Sequence, residues 1–133
     1  MKTRQFKVDK LIRDNIPDVL RLRGISVDER VMETDEYIQR LKEKLVEEGR
    51  EVLTANSLSE IEEELADVME VFHSLVSVLG VSFEEVEKKR IAKGEVSGRF
   101  ERRIYCAKIE VAISNPAIDY CASRPEEYPE IKN

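Results

Sequence analysis

One stripe constrains this chain more than any other feature. Ser59 and Glu62 have the spacing of a capping box, and Gly80 is a stop signal. Between them, apolar residues fall at Ile61, Leu65, Val68, Phe72, Leu75 and Leu79, alternating four and three apart. That period belongs to a helix with one apolar edge, and it predicts a long helix ending at Gly80. The preceding segment predicts another. Thr34 is placed to cap a helix running to about Ala55, with Asp35 and Glu36 in a first turn where the helix dipole favours acids. Its apolar positions Ile38, Leu41, Leu45 and Val52 keep the three-four spacing, and the missing member is Glu48. A carboxylate stands where a leucine is expected.

Shorter elements flank this pair. Asn15-Ile16-Pro17 opens a short helix that Gly24 stops at Arg23. Val27 to Met32 reads as a short strand. Ser82 with Glu85 opens a third helix ending near Gly94, and the alternation Ile109, Val111, Ile113 suggests another strand, with a helix as the alternative. From Asn115 onward three prolines fall in 19 residues without helical period. The expected organisation is a domain over 1–114 and an irregular C-terminal extension over 115–133. The expected fold class is mainly α, an antiparallel helical hairpin with minor peripheral strands. Its apolar surface is wider than short helices can cover, so at least a homodimer completing a four-helix-type bundle is expected.

Composition removes several alternatives. At 133 residues the chain can bury one core without disulfide or zinc staples, and two cysteines with one histidine cannot supply the usual four zinc ligands. Cys106 and Cys121 read as ordinary buried thiols, and His73, one position off the Phe72 stripe, as a packing histidine. The longest apolar stretch, Val71 to Phe83, is too short to span a bilayer. The N-terminus MKTRQFKVDK has no apolar signal region, which predicts a cytoplasmic protein. A net charge of −6 argues against nonspecific nucleic-acid binding. The charges are also segregated. From Glu51 to Glu87 ten acids occur without a lysine or arginine, between basic segments over 1–30 and 88–108. Such a block calls for a counter-ion, either a metal or a partner.

The acids repeat with a helical spacing. Glu48 and Glu51 are three apart, as are Glu64 and Asp67, so each pair projects from one helix face. In an antiparallel hairpin, residues at equal height share a constant index sum, and the pairs 51/64 and 48/67 both give 115. Four carboxylates therefore meet at one level. Like charges this close raise one another's pKa, and a hard divalent cation with oxygen ligands resolves the conflict. Mg²⁺ is the expected ion and Mn²⁺ the alternative. A solvated helix face is the ordinary role of such acids, but Glu48 in the apolar stripe, the coinciding sums and the absence of a base nearby on the second helix argue against it here.

At these residues a resemblance enters. Glu47-Glu48-Gly49-Arg50-Glu51, followed after 12 residues by Glu64-Leu65-Ala66-Asp67, resembles the EExxE…ExxD signature of the MazG-like all-α nucleoside triphosphate pyrophosphohydrolases. That superfamily includes dimeric dUTPases and phosphoribosyl-ATP pyrophosphohydrolase. Lys10-Leu11-Ile12-Arg13-Asp14-Asn15-Ile16-Pro17 is similar to the KLVRDKIP opening of a small house-cleaning branch, and Gly98 to Ile104 to its GGFEKRI segment. The likeness covers about residues 8–105. Gly49 in mid-helix and the residues beyond the matched region depart from it.

The resemblance implies Mg²⁺-dependent hydrolysis of a nucleoside triphosphate to monophosphate and pyrophosphate. Glu48, Glu51, Glu64 and Asp67 would hold the metal. Glu47 would accept the proton of the attacking water or add a ligand, although an exposed Glu47 paired with Lys44 or Arg50 is an equal reading. Lys93, Arg90, Arg99, Lys10 and Arg13 are candidates for phosphate contacts, with Lys93 placed best at the end of the third helix. Tyr37 and Phe100 are able to stack on a base, though structural aromatics are commoner. Two rivals stand beside this reading: phosphoribosyl-ATP hydrolysis, and a non-catalytic metal-binding or interaction module.

Overall fold

The computed structural model describes residues 2–132, and all its regular secondary structure is helical. There are five helices: α1 (Ile16–Leu22), α2 (Thr34–Thr54), α3 (Leu58–Leu79), α4 (Phe83–Ser97) and α5 (Ala117–Ala122). The chain divides into two compact units, the first ending at Val96 and the second beginning at Ser97.

The first unit is organised by the hairpin of α2 and α3, which pack against each other along their length. Its turn is short because both ends are defined locally. Ala55 leaves α2 in an extended conformation. Ser57 then caps α3, its hydroxyl accepting the Glu60 N–H at 3.1 Å, while the Glu60 carboxylate accepts the Asn56 N–H at 2.9 Å. The cap thus falls two residues before Ser59. Ser57 and Glu60 carry the same four-residue signature, and the earlier pair adds half a turn to the helix. At the far end Gly80 takes φ +66° and donates to Ser77, and Val81 donates to Val76, closing the helix in the left-handed manner that glycine permits. Pro17 in the first turn of α1 and Gly24 at φ +77° bound α1 as the sequence predicts. Ser82 caps α4 by accepting the Glu85 N–H at 3.3 Å. The helix runs three residues past Gly94 to Ser97, so that glycine does not end it.

The strands expected at Val27–Met32 and Ile109–Ile113 are absent among the described residues. Both segments are largely exposed, and neither has a partner edge to pair with. In the second unit, Asn115 and Pro116 open α5: the Asn115 side chain accepts the Ala117 N–H at 2.9 Å. Arg124 then lies over the Tyr120 ring at 3.8 Å, and Tyr120 meets Tyr128 at 5.9 Å. Cys106 is exposed, contrary to its reading as a buried thiol, because its stretch has no covering element. No single helix among the described residues is long and apolar enough to cross a membrane.

Burial shows which face of α3 meets α2. Leu41 and Val71 are the hairpin's buried apolar side chains, at 2% and 6% exposure. They belong to a line running Glu64, Asp67, Val71, Ser74, Val78 on α3 and Glu51, Glu48, Lys44, Leu41, Tyr37 on α2, each opposite pair keeping the index sum 115. The apolar stripe lies beside this line, one residue on and therefore about 100° around the helix. Leu65 and Leu79 remain half exposed on it.

Candidate active site

The carboxylate level sits on the inner line, about two helical turns from the hairpin's closed end. Glu48 of α2 is buried at 8% exposure, and Glu64 and Asp67 of α3 are half-buried. One carboxylate oxygen from each of these three lies within 4.8 Å of the others, so a single small cation can touch all three. Glu51 stands outside that group. It is exposed, and close enough to act electrostatically on Glu64. The structure thus brings three of the four expected ligands together and leaves the fourth at the rim.

Glu64 registers the crowding. Its pKa is raised above the ordinary 4.5, first by desolvation and then by the charges of Asp67, Glu48 and Glu51, with a hydrogen bond to Glu48 adding to the effect. A divalent cation removes both causes, since it replaces lost solvation and offsets the like charges. On that chemical ground the all-oxygen donor set fits a hard cation such as Mg²⁺.

Cations reach this level from two directions. The segment before α1 crosses the hairpin here, with Arg13 Nη2 bonding Asp67 Oδ1 at 2.6 Å and Lys10 Nζ bonding Glu47 Oε1 at 3.1 Å. From within α2, Lys44 Nζ lies 3.4 Å from Glu47 Oε1 and 3.5 Å from Glu48 Oε1. Desolvation alone would raise the pKa of Glu47, but the bonds and charges of Lys10 and Lys44 outweigh it and hold the group below 4.5. Lys44 is the residue the sequence reading undervalued, having cast it only as a surface partner of Glu47. Its signal was present, because it stands three and four positions before Glu47 and Glu48.

The other basic candidates are not gathered in. Arg90 is engaged with Glu87 on its own helix, through Nε at 3.0 Å and through Nη2. Lys93 is exposed on α4, and no ion pair among the described residues joins it or Arg90 to the four carboxylates. Arg99 belongs to the second unit. His73 packs as expected, stacked on Phe83 at 5.9 Å and edge-on to Phe72 at 5.8 Å, although its face is open to solvent.

A buried glutamate facing two half-buried acids across a helical hairpin is an all-oxygen donor set with room for one hard cation. Residues 22–93, more than half of the chain, match the sequence model of the phosphoribosyl-ATP pyrophosphohydrolase family, part of the MazG-like all-α superfamily, and the chain belongs to that family. The matched span contains all four carboxylates, Lys44, Arg90 and Lys93, and leaves Lys10, Arg13 and Arg99 outside. The family consists of pyrophosphohydrolases that typically depend on a divalent metal. Neither the curated proteins nor the solved structures contain a match to the chain.

Proposed function

We propose that the chain is a Mg²⁺-dependent nucleoside triphosphate pyrophosphohydrolase that clears non-standard nucleotides, cutting between the α and β phosphates to release a monophosphate and pyrophosphate. The observation that carries this reading is the convergence of Glu48, Glu64 and Asp67 within the family-matched hairpin. These three would hold the cation, with Glu51 as a fourth ligand once the ion draws it in. When bound, the ion supplies positive charge between anionic protein and anionic phosphates and acidifies a water molecule.

The chain's own groups do the rest. Arg13 offers a planar fork to phosphate oxygens from its place beside Asp67, and Lys10 a point charge beside Glu47. Glu47 is the proposed proton acceptor. The two lysines keep it ionised and available, at some loss of basicity. Lys93, Arg90 and Arg99 remain candidates for phosphate contacts made once substrate is bound.

We also infer a homodimer. Among the described residues the buried apolar side chains, Leu41, Val71 and Pro17, are too few for a domain of this length, and the half-exposed stripe from Ile61 to Leu79 is an unpaired bundle face. A second copy covering it completes four helices. The protein is expected to work in the cytoplasm, on a small-molecule nucleotide.

The family match itself favours a second reading, hydrolysis of phosphoribosyl-ATP. One experiment separates the two. The purified protein is given ordinary and damaged (deoxy)nucleoside triphosphates and phosphoribosyl-ATP, with and without EDTA, and pyrophosphate is measured. EDTA-sensitive release from a triphosphate supports the first reading, and release from phosphoribosyl-ATP alone supports the second. No release from any of them, with metal raising only the melting temperature, identifies a non-catalytic module.

A further inference from the structure

Past the carboxylates, the inner line of the hairpin leads into a cavity. It measures about 450 Å³ and is lined by Tyr37 of α2 and by Glu70, His73, Ser74, Ser77 and Val78 of α3. The volume falls within the range of small-molecule sites, roughly 300–1,000 Å³. Its position relative to the acids is fixed by α3 itself. Glu70 stands one turn beyond Asp67, and Ser74 and Ser77 lie about 10 and 15 Å further along the axis from Asp67 at 1.5 Å per residue. Towards the turn there is no comparable room, since α2 ends at Thr54 and α3 begins at Leu58.

We propose that this cavity receives the nucleoside half of the substrate, the phosphates lying at the carboxylate level. The proposal rests on the enzymatic reading above and adds to it the direction in which substrate lies. Three properties of the lining carry it. Tyr37 presents an aromatic wall on which a base can stack. Among the described residues the Ser74 and Ser77 hydroxyls have no hydrogen-bond partner, although serines inside a helix commonly bond back to a carbonyl one turn earlier. Glu70 has no ion-pair partner among the described residues, which leaves a carboxylate to accept N–H or O–H groups of a base or ribose. Val78 adds an apolar contact to the lining. The cavity therefore has an aromatic side, one apolar contact and unspent polar groups, within a nucleotide's length of the acids.

The test compares a ligand that has a nucleoside with one that lacks it. Binding of the α,β-methylene triphosphates of adenosine, guanosine, cytidine and uridine, and of inorganic tripolyphosphate, is measured by calorimetry with Mg²⁺ present. The tightest analogue is then titrated into Ser77→Leu, which fills the cavity from an exposed position, and into Tyr37→Ala, which removes its wall. The expected result is a loss of about tenfold or more for the analogue in both variants, with tripolyphosphate affinity held within about twofold. Retained tripolyphosphate binding also shows that the variants are folded. The proposal is overturned if the unaltered protein binds no analogue more tightly than tripolyphosphate, or if analogue affinity survives both substitutions. Failure of the enzymatic reading is recognised separately, by the absence of pyrophosphate release from every nucleotide tested.

Discussion

Two faces of α3, about 100° apart, have opposite characters. The inner one, Glu64, Asp67, Val71, Ser74, Val78, packs on α2 yet is mostly polar, whereas the neighbouring stripe, Ile61, Leu65, Val68, Phe72, Leu75, Leu79, is wholly apolar yet half open. Maximal stability of the single chain would turn α3 so that its apolar stripe met α2. The observed rotation instead brings carboxylates together at one level, at an electrostatic cost that Glu64 registers. The inner line gives up stability for the carboxylate level that is proposed as the site, and the apolar stripe is left open.

The comparison breaks most sharply on the inner line. Glu48→Gln and Asp67→Asn are expected to lower pyrophosphate release by about a hundredfold or more while helical circular dichroism is retained, since each removes a proposed ligand but little volume. Turnover at the parent rate in either variant would remove these residues from the site. On the other face, Leu65→Asp is expected to convert the proposed dimer to monomer in sedimentation velocity and to lower the melting temperature. A monomeric parent protein would contradict the reading of that stripe.

The inner line also holds the most buried apolar side chain, Leu41 of α2. Leu41→Ala should cost about 2–5 kcal/mol in denaturant unfolding, because it empties the most buried apolar position of the hairpin. A loss no larger than that of an exposed leucine such as Leu53 would mean the hairpin is held elsewhere.

The smallest effect has a distinctive pH dependence. The Glu64 carboxyl binds its proton more tightly in the folded protein than at the unfolded value of 4.5. Above the folded pKa it is charged among like charges and destabilises the metal-free fold. As pH falls towards 4.5 the folded state takes up the proton first, and stability recovers. Glu64→Gln should therefore stabilise the metal-free protein at neutral pH, with the gain gone below pH 4.5. A gain that grows on acidification would reverse this account.

How much of this was legible in the sequence follows from the range of the interactions involved. The long helices, their antiparallel register and the carboxylate level rest on local period, caps and a short turn, and all can be read from spacing. The rotation of α3 cannot, because the apolar stripe and the inner line share a helical period and differ only by what lies opposite. The ion pairs Arg13–Asp67 and Lys10–Glu47 span 54 and 37 residues and depend on where an irregular segment crosses the hairpin. No local pattern encodes that crossing, although the opening motif did nominate both residues. The second unit misled for a related reason: alternation at Ile109, Val111 and Ile113 is a strand signal, but a strand needs a neighbour that this segment lacks.

The central claim is that the polar line exists to hold a divalent cation, and calorimetric titration of Mg²⁺ into the protein without nucleotide tests it most directly. The account predicts saturable binding in the parent chain, weakened at least about tenfold in Asp67→Asn. It also predicts a Mg²⁺-dependent rise in melting temperature that the variant largely loses. Equal binding in parent and variant, or no binding in the parent, would contradict it.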